Sequence, residues 1–299
     1  MRSVSLFRWN PRLSWLINWA PYNRILRNRT VSVCLFALVV LAILALMAPL
    51  IAPYDPNDID LKSSLQSPSA SHPLGTDHLG RDVLSRILYG AATSFTIALS
   101  VVILALSLGI VLGGSAGYFG GMVDETVSRA IDLFLSFPSI IFALAIVGAL
   151  GSSVLNLILA LALVHWASYA RMMRGQVLSM KNNDYVSSAR VIGASDRRIL
   201  FKHILPNALA PVIVLATLDM GHVILSAAAL SFLGLGIPPS VPEWGSMLNA
   251  GKEFMRTAPY LTIFPGIAIT LTVVLFSLLG DGFREVLDPE SEVNGLGVA

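Results

Sequence analysis

Residues 31–52 carry no charged side chain, and as a helix at ~1.5 Å per residue they reach about 33 Å, enough to cross a bilayer. The run is too long for the apolar core of a cleaved signal peptide, so it reads as a retained anchor. Five further apolar runs follow, at residues 94–118, 133–150, 154–170, 208–235 and 260–280. Pro138 is expected to kink the third span and Pro265 to break the sixth. With 55% hydrophobic and 13% charged residues, the composition lies far outside the soluble range. The expected fold is an all-α integral membrane protein with six transmembrane helices.

The single cysteine, Cys34, sits inside an apolar run and supports neither a disulfide framework nor a cysteine metal site. The sequence has no G-x-x-x-x-G-K-[ST] phosphate loop. An ATP-driven activity would therefore take its motor from another chain.

One long polar, basic stretch, residues 184–207, interrupts the membrane pattern. Asp184 is expected to cap a short helix whose small residues Ser187, Ser188 and Ala189 leave an open face. Gly193 falls where a left-handed residue would end that helix, and Ser195 can cap a second one. Pro206 is expected to block helical hydrogen bonding before the next apolar run. A short helix between two spans cannot bury itself, which makes it a docking element for a soluble partner.

Ala189, Gly193 and Ile204-Leu205-Pro206 resemble the "EAA" loop of ABC-importer permeases. Tyr185-Val186 with Ala189-Arg190 resembles its dipeptide/oligopeptide/nickel branch. The resemblance implies a type I importer permease fold and a coupling helix seated in a cleft of a cytoplasmic ATPase. The implied coupling residues are Tyr185, Ser188, Ala189, Arg190, Gly193, Ala194, Ser195, Leu205 and Pro206. The chain departs from the general pattern where Ser187-Ser188 replace Glu-Ala and His203 replaces isoleucine.

Residues 53–90 form a polar, turn-rich segment that becomes helical at residues 82–88. Within it Leu74-Gly75-Thr76-Asp77 and Gly80-Arg81-Asp82, followed by Ser85-Arg86, resemble a second signature of the same branch. Arg81 and Arg86 with Asp77 and Asp82 are expected to build an ion-paired extracytoplasmic segment. Asp77, His78 and Asp82 as metal ligands form the weaker alternative, because Asp before a glycine turn is usually a cap. Ser231–Gly236, Pro242–Leu248 and the tail around Gly280-Asp281-Gly282 extend the resemblance over about residues 50–290.

Gly109, Gly113, Gly117 and Gly121 fall four apart and are expected to form a helix face for close backbone approach. Gly113 to Gly117 also satisfies G-x-S-x-G around Ser115, but a nucleophile elbow needs a strand–turn–helix that this run lacks.

The expected organisation is a basic and aromatic cytoplasmic tail (1–30), a first membrane helix (31–52) and an extracytoplasmic segment (53–90). A permease core (91–285) follows, with a cytoplasmic loop at 171–207 and an extracytoplasmic loop at 236–259, and then a cytoplasmic tail (286–299). The tail's Arg2, Arg8 and Arg12 with Trp9, Trp15 and Trp19 suit a headgroup surface, or simply a mobile basic arm. With both termini in the cytoplasm, fifteen of the 20 Lys and Arg lie inside and five outside.

Asp219 and His222 lie one helical turn apart inside the fifth span, where an ionisable group is costly. They either line a pathway or only satisfy each other. His165 is a further pathway candidate, and Trp166 can serve as an interfacial anchor. The segments around His165 and Asp219 resemble nickel importers more than dipeptide importers, and His and carboxylate ligands suit a metal or metal-chelate cargo.

The leading expectation is a permease subunit that carries small peptides, with nickel as the alternative cargo, and is not itself an enzyme. It holds no cofactor, and ATP with Mg is bound by partner subunits. Expected partners are a second homologous permease, two ABC ATPases, an extracytoplasmic solute-binding protein and the lipid bilayer, with no nucleic acid. Two other classes compete: an intramembrane hydrolase using Ser115 with His165 or His222, and a stand-alone secondary transporter, which would show internal repeats.

Overall fold

The computed structural model describes residues 28–287; the sequence expectations for residues 1–27 and 288–299 lie outside the described residues. Among the described residues the α-helices run in the order α1 (Arg29–Leu46), α2 (Ala48–Ile51), α3 (Val83–Phe119), α4 (Gly121–Ser136), α5 (Ser139–Leu150), α6 (Val154–Lys181), α7 (Asp184–Val191), α8 (Asp196–Phe232), α9 (Trp244–Gly251) and α10 (Tyr260–Leu287). Among the described residues no strand forms, only an isolated antiparallel bridge between Thr76 and Asp82. By length and composition α1, α3, α6, α8 and α10 can each cross a membrane; α4 and α5, bent by 91° at their break, make a sixth if the pair counts as one span and a re-entrant loop otherwise.

The bundle is centred on α3 against α6. Lipid is as apolar as the helices, so association here depends on close packing and not on escape from water. Glycine supplies that closeness. A Cβ on Gly109 would lie 2.4 Å from Tyr169 Cβ, and one on Gly117 would lie 2.9 Å from the Arg174 carbonyl oxygen. Each interior glycine disfavours the isolated helix by about 1 kcal/mol relative to alanine, so only the contact it permits can explain its presence. Gly121 is not part of this face: it opens α4 at φ +56°, with nothing within 4 Å of a would-be Cβ. Outside the main core, α1 sets Val31, Cys34 and Leu38 against Leu275 and Leu279 of α10.

Several sequence expectations are corrected. The bend expected at Pro138 is larger than a kink: it lies at the break between α4 and α5, which meet at 91°. The residue before a proline is pushed out of the helical region, and Phe137 accordingly sits at φ −98°, ψ 144°. The 12 residues of α5 rise only about 18 Å, too little to cross a bilayer alone. The fourth helix continues beyond the apolar run that ends at residue 170, to Lys181, with Met173 and Val177 buried and with Arg171 and Arg174 paired to Asp132 and Asp124 of α4. The helical start expected at residue 82 is present, and α3 runs from its Asp82 cap through residue 90 without a break.

Pro206 does not separate the second loop helix from the fifth span; α8 is continuous through it. Residues Ile199–Ile204 adopt a π turn, and the Leu205 N–H reaches back to the Leu200 carbonyl. That wider turn makes room for the proline ring and leaves its missing donor without consequence.

Candidate docking loop and pathway face

The loop builds two helices around one turn. Asn183, not Asp184, is the N-cap of α7, and its side chain makes no capping bond; Asp184 occupies the first helical position. At the other end Gly193 takes φ +83°. Its N–H bonds the Arg190 carbonyl at 3.0 Å, and the Ala194 N–H bonds the Ala189 carbonyl at 3.0 Å. This pair of bonds is a Schellman motif, which only a left-handed residue can close. Ser195 then caps α8 by accepting from the Arg198 N–H at 3.4 Å.

Val186 and Ala189 are buried and seat α7 on the bundle, while Tyr185, Ser188, Arg190 and Ser195 are exposed. Just before the turn, Val191 is 87% exposed and Ile192 85%. Phe201, Arg197, Arg198 and Lys202, on the first turns of α8, are exposed as well. Leu205 is half-buried and Pro206 exposed along the next turns.

A polar knot ties the loop to α3. The Tyr118 hydroxyl, on the last turn of α3, donates to Asp196 Oδ1 at 2.5 Å. Arg190 approaches the same hydroxyl. Lys181 donates to the Tyr118 carbonyl oxygen and lies over its ring, 5.7 Å from the centroid. Sequence reasoning passed over Tyr118, because one tyrosine at the end of a span carries no pattern.

On the segment between α2 and α3, Asp77 accepts from Arg81 Nε at 2.7 Å and from the Leu79 and Arg81 N–H groups. Asp82 accepts from the Ser85 N–H and hydroxyl and meets His72 Nδ1 at 2.9 Å. The Arg86 guanidinium makes no bond to the Asp82 carboxylate: it donates to the carbonyls of Pro56 at 2.8 Å and Pro239 at 3.1 Å, and only the Arg86 backbone N–H bonds Asp82, at its carbonyl. Arg81 also reaches Pro239, so the two arginines staple this segment to the one before α9. Trp244, almost fully buried, adds a bond from Nε1 to the Ile87 carbonyl. Both Gly75 and Gly80 have positive φ, and a Cβ on Gly80 would sit 1.8 Å from the Asp60 carbonyl oxygen. The two carboxylates are committed, and among the described residues no three metal-ligating side chains converge.

Asp219 and His222 do pair, Oδ1 to Nδ1 at 3.6 Å, with Asp219 largely covered and the His222 side chain 66% exposed. His165 turns to its own helix, Nδ1 to the Leu161 carbonyl at 2.9 Å. Tyr169, which the sequence did not single out, lies close to Asp219; its buried hydroxyl makes no hydrogen bond. Ser115 lies within unbroken helix α3, so the strand–turn–helix of a nucleophile elbow is absent around it.

Residues 109–292 match the family of binding-protein-dependent transport system inner membrane components. The chain belongs to this family. It is a permease subunit of an ABC importer and a multi-pass protein of the inner membrane. Residues 19–68 also match the N-terminal transmembrane domain of oligopeptide transport permease C. The chain is 43% identical to the nickel transport permease NikC of Escherichia coli K12, over 87% of its length and 94% of that protein. It is 42% identical to the dipeptide transport permease DppC of Alkalihalophilus pseudofirmus over 90% of its length and 88% of that protein. To the glutathione transport permease GsiD of Pectobacterium atrosepticum it is 42% identical over 93% of its length and 92% of that protein. A methionine ABC transporter solved in an inward-facing state matches at TM-score 0.53 and 19% identity, covering 68% of this chain and 97% of that one. That likeness supports the fold alone.

Proposed function

We propose that this permease forms half of the translocation pathway for di- and oligopeptides and couples to cytoplasmic ATPases through residues 184–207. The exposed pair Val191 and Ile192 beside the Gly193 turn supports the coupling reading: adjacent apolar side chains in a polar, basic loop suit a surface that a partner covers. A second homologous permease completes the pathway, two ABC ATPases bind ATP and Mg, and an extracytoplasmic binding protein delivers the cargo. ATPase closure pulls the docking loops together and rocks the bundle between its inward- and outward-open states. Both termini lie in the cytoplasm, as the basic residues favour.

The names of two relatives, dipeptide and glutathione permeases, favour peptides as cargo. Nickel or a metal chelate is the second reading, favoured by the Asp219–His222 pair and by the likeness to NikC. Reconstitution of the complete complex in liposomes tests both. ATP-dependent uptake of a labelled dipeptide is expected; uptake of labelled nickel without peptide would replace the first reading with the second. Absence of ATP-dependent uptake of any cargo, with cross-linking that never places the loop against an ATPase, would overturn the coupling reading.

A further inference from the structure

We infer that Tyr118 is the positioning residue through which the docking loop transmits its movement to the transmembrane bundle. The inference rests on the coupling reading of residues 184–207. Four elements meet at this one residue: α3, which carries it; α6, whose Lys181 bonds its carbonyl and lies over its ring; α7, through Arg190; and α8, through Asp196. Asp196 lies 78 residues away in sequence, so the bond is a tertiary tie and not a local cap.

The loop's other connections can yield. Nothing lies within 4 Å of a would-be Cβ at Gly193, so that one residue of the turn between α7 and α8 is unpacked, while Ala194 beside it rests against the core. The π turn at Ile199–Ile204 breaks the regular hydrogen-bond ladder of α8, though Ile199 and Ile204 at its ends are fully buried. Apolar contacts at Val186 and Ala189 resist separation but permit sliding. A hydroxyl donating to a carboxylate is directional and among the stronger hydrogen bonds, so it fixes the loop's position along α3. From Tyr118 the route inward is stiff: Gly117, one residue before it, is packed against the Arg174 backbone and Val177. Motion of the loop reaches the α3–α6 pair as a rigid displacement instead of being absorbed in the turn.

The test uses the whole complex with its binding protein. Cargo moved per ATP hydrolysed is measured alongside cross-linking from Val191→Cys to the ATPase. Tyr118→Phe removes one oxygen, and with the cross-link intact it is expected to lower that ratio about ten-fold. Asp196→Ala should do the same from the exposed end of the bond, and it carries the test if Tyr118→Phe fails to assemble. The double variant should be no worse than either single one, and Asp196→Asn, which keeps an acceptor, should recover most of the ratio. An unchanged ratio with the cross-link present, or additive losses in the double variant, would overturn the role of Tyr118. A missing cross-link in the otherwise unaltered chain would instead overturn the docking reading beneath it.

Discussion

Gly113 faces Ala170 so closely that a Cβ on it would sit 2.2 Å from the Ala170 carbonyl oxygen. Backbone cannot yield as a flexible side chain can, so Gly113→Ala must separate α3 from α6. The expected cost is about 1–3 kcal/mol, the usual range for overpacking. Gly148→Ala provides the contrast: nothing lies within 4 Å of its would-be Cβ, and the added helix propensity should be neutral or slightly stabilising. Thermal unfolding of both variants in detergent checks the pair; equal effects would remove the packing argument.

The α4 helix is held to α6 by Asp124–Arg174 and Asp132–Arg171, the second pair at 3.1 Å and widely exposed. Exposed pairs are worth roughly 0–1 kcal/mol, so Arg171→Gln should be nearly silent. Arg174 is only 33% exposed and meets its carboxylate through two nitrogens. Arg174→Gln should cost more, about 1–2 kcal/mol, and Arg174→Lys should not fully replace it, since lysine lacks the planar fork. Chemical unfolding of the three variants gives the order.

Much of this architecture could be read from residues alone because it rests on local chemistry. Gly193 and Ser195 announced a turn and a cap, and both are present. The glycine spacing announced the α3 face as far as Gly117 and failed at Gly121, where Gly120 at φ +70° had already ended the helix. What stayed hidden depended on partners distant in sequence. Arg171 and Arg174 looked like the end of a span, but the helix continues past them, with Met173 and Val177 buried and the two arginines paired to carboxylates on α4. Pro206 looked like a stop, and only the π turn before it shows how a helix can pass through. The Asp219–His222 pair was legible from its spacing; the neighbouring Tyr169 hydroxyl was not.

Glu243 is 1% exposed, yet its two carboxylate oxygens cap α9 at 2.8 Å from the Gly245 and Ser246 N–H groups. Burial pushes its carboxyl above the ordinary value of 4.5, and the two backbone donors offset only part of that. A carboxyl raised in the folded state holds its proton longer there than in the unfolded chain. Its contribution is therefore fully present below pH 4.5 and is lost as pH rises through the folded value. Glu243→Gln keeps one acceptor and removes the titration. Its unfolding temperature should fall less between acid and neutral pH than that of the parent chain, and parallel curves would refute the assignment.

The turn at Gly193 separates conformational strain from crowding. Its φ is +83°, but no atom lies within 4 Å of a would-be Cβ, so a substitution meets backbone strain alone. The cost should then follow tolerance of the left-handed region: least for Gly193→Asn, more for Gly193→Ala and most for Gly193→Val, within about 1–2 kcal/mol. That is too little to prevent insertion of a bundle held by α3 and α6, so the chain should reach the membrane in normal amounts. It is enough to open the Schellman bonds at Arg190 and Ala189 and tilt the tip at Val191 and Ile192. ATP hydrolysis by the complex should then continue while uptake falls in the order Asn, Ala, Val. Coupled uptake that is unchanged in Gly193→Val would count against a docking role for this turn, whereas loss of the protein from the membrane would show that the turn serves folding instead.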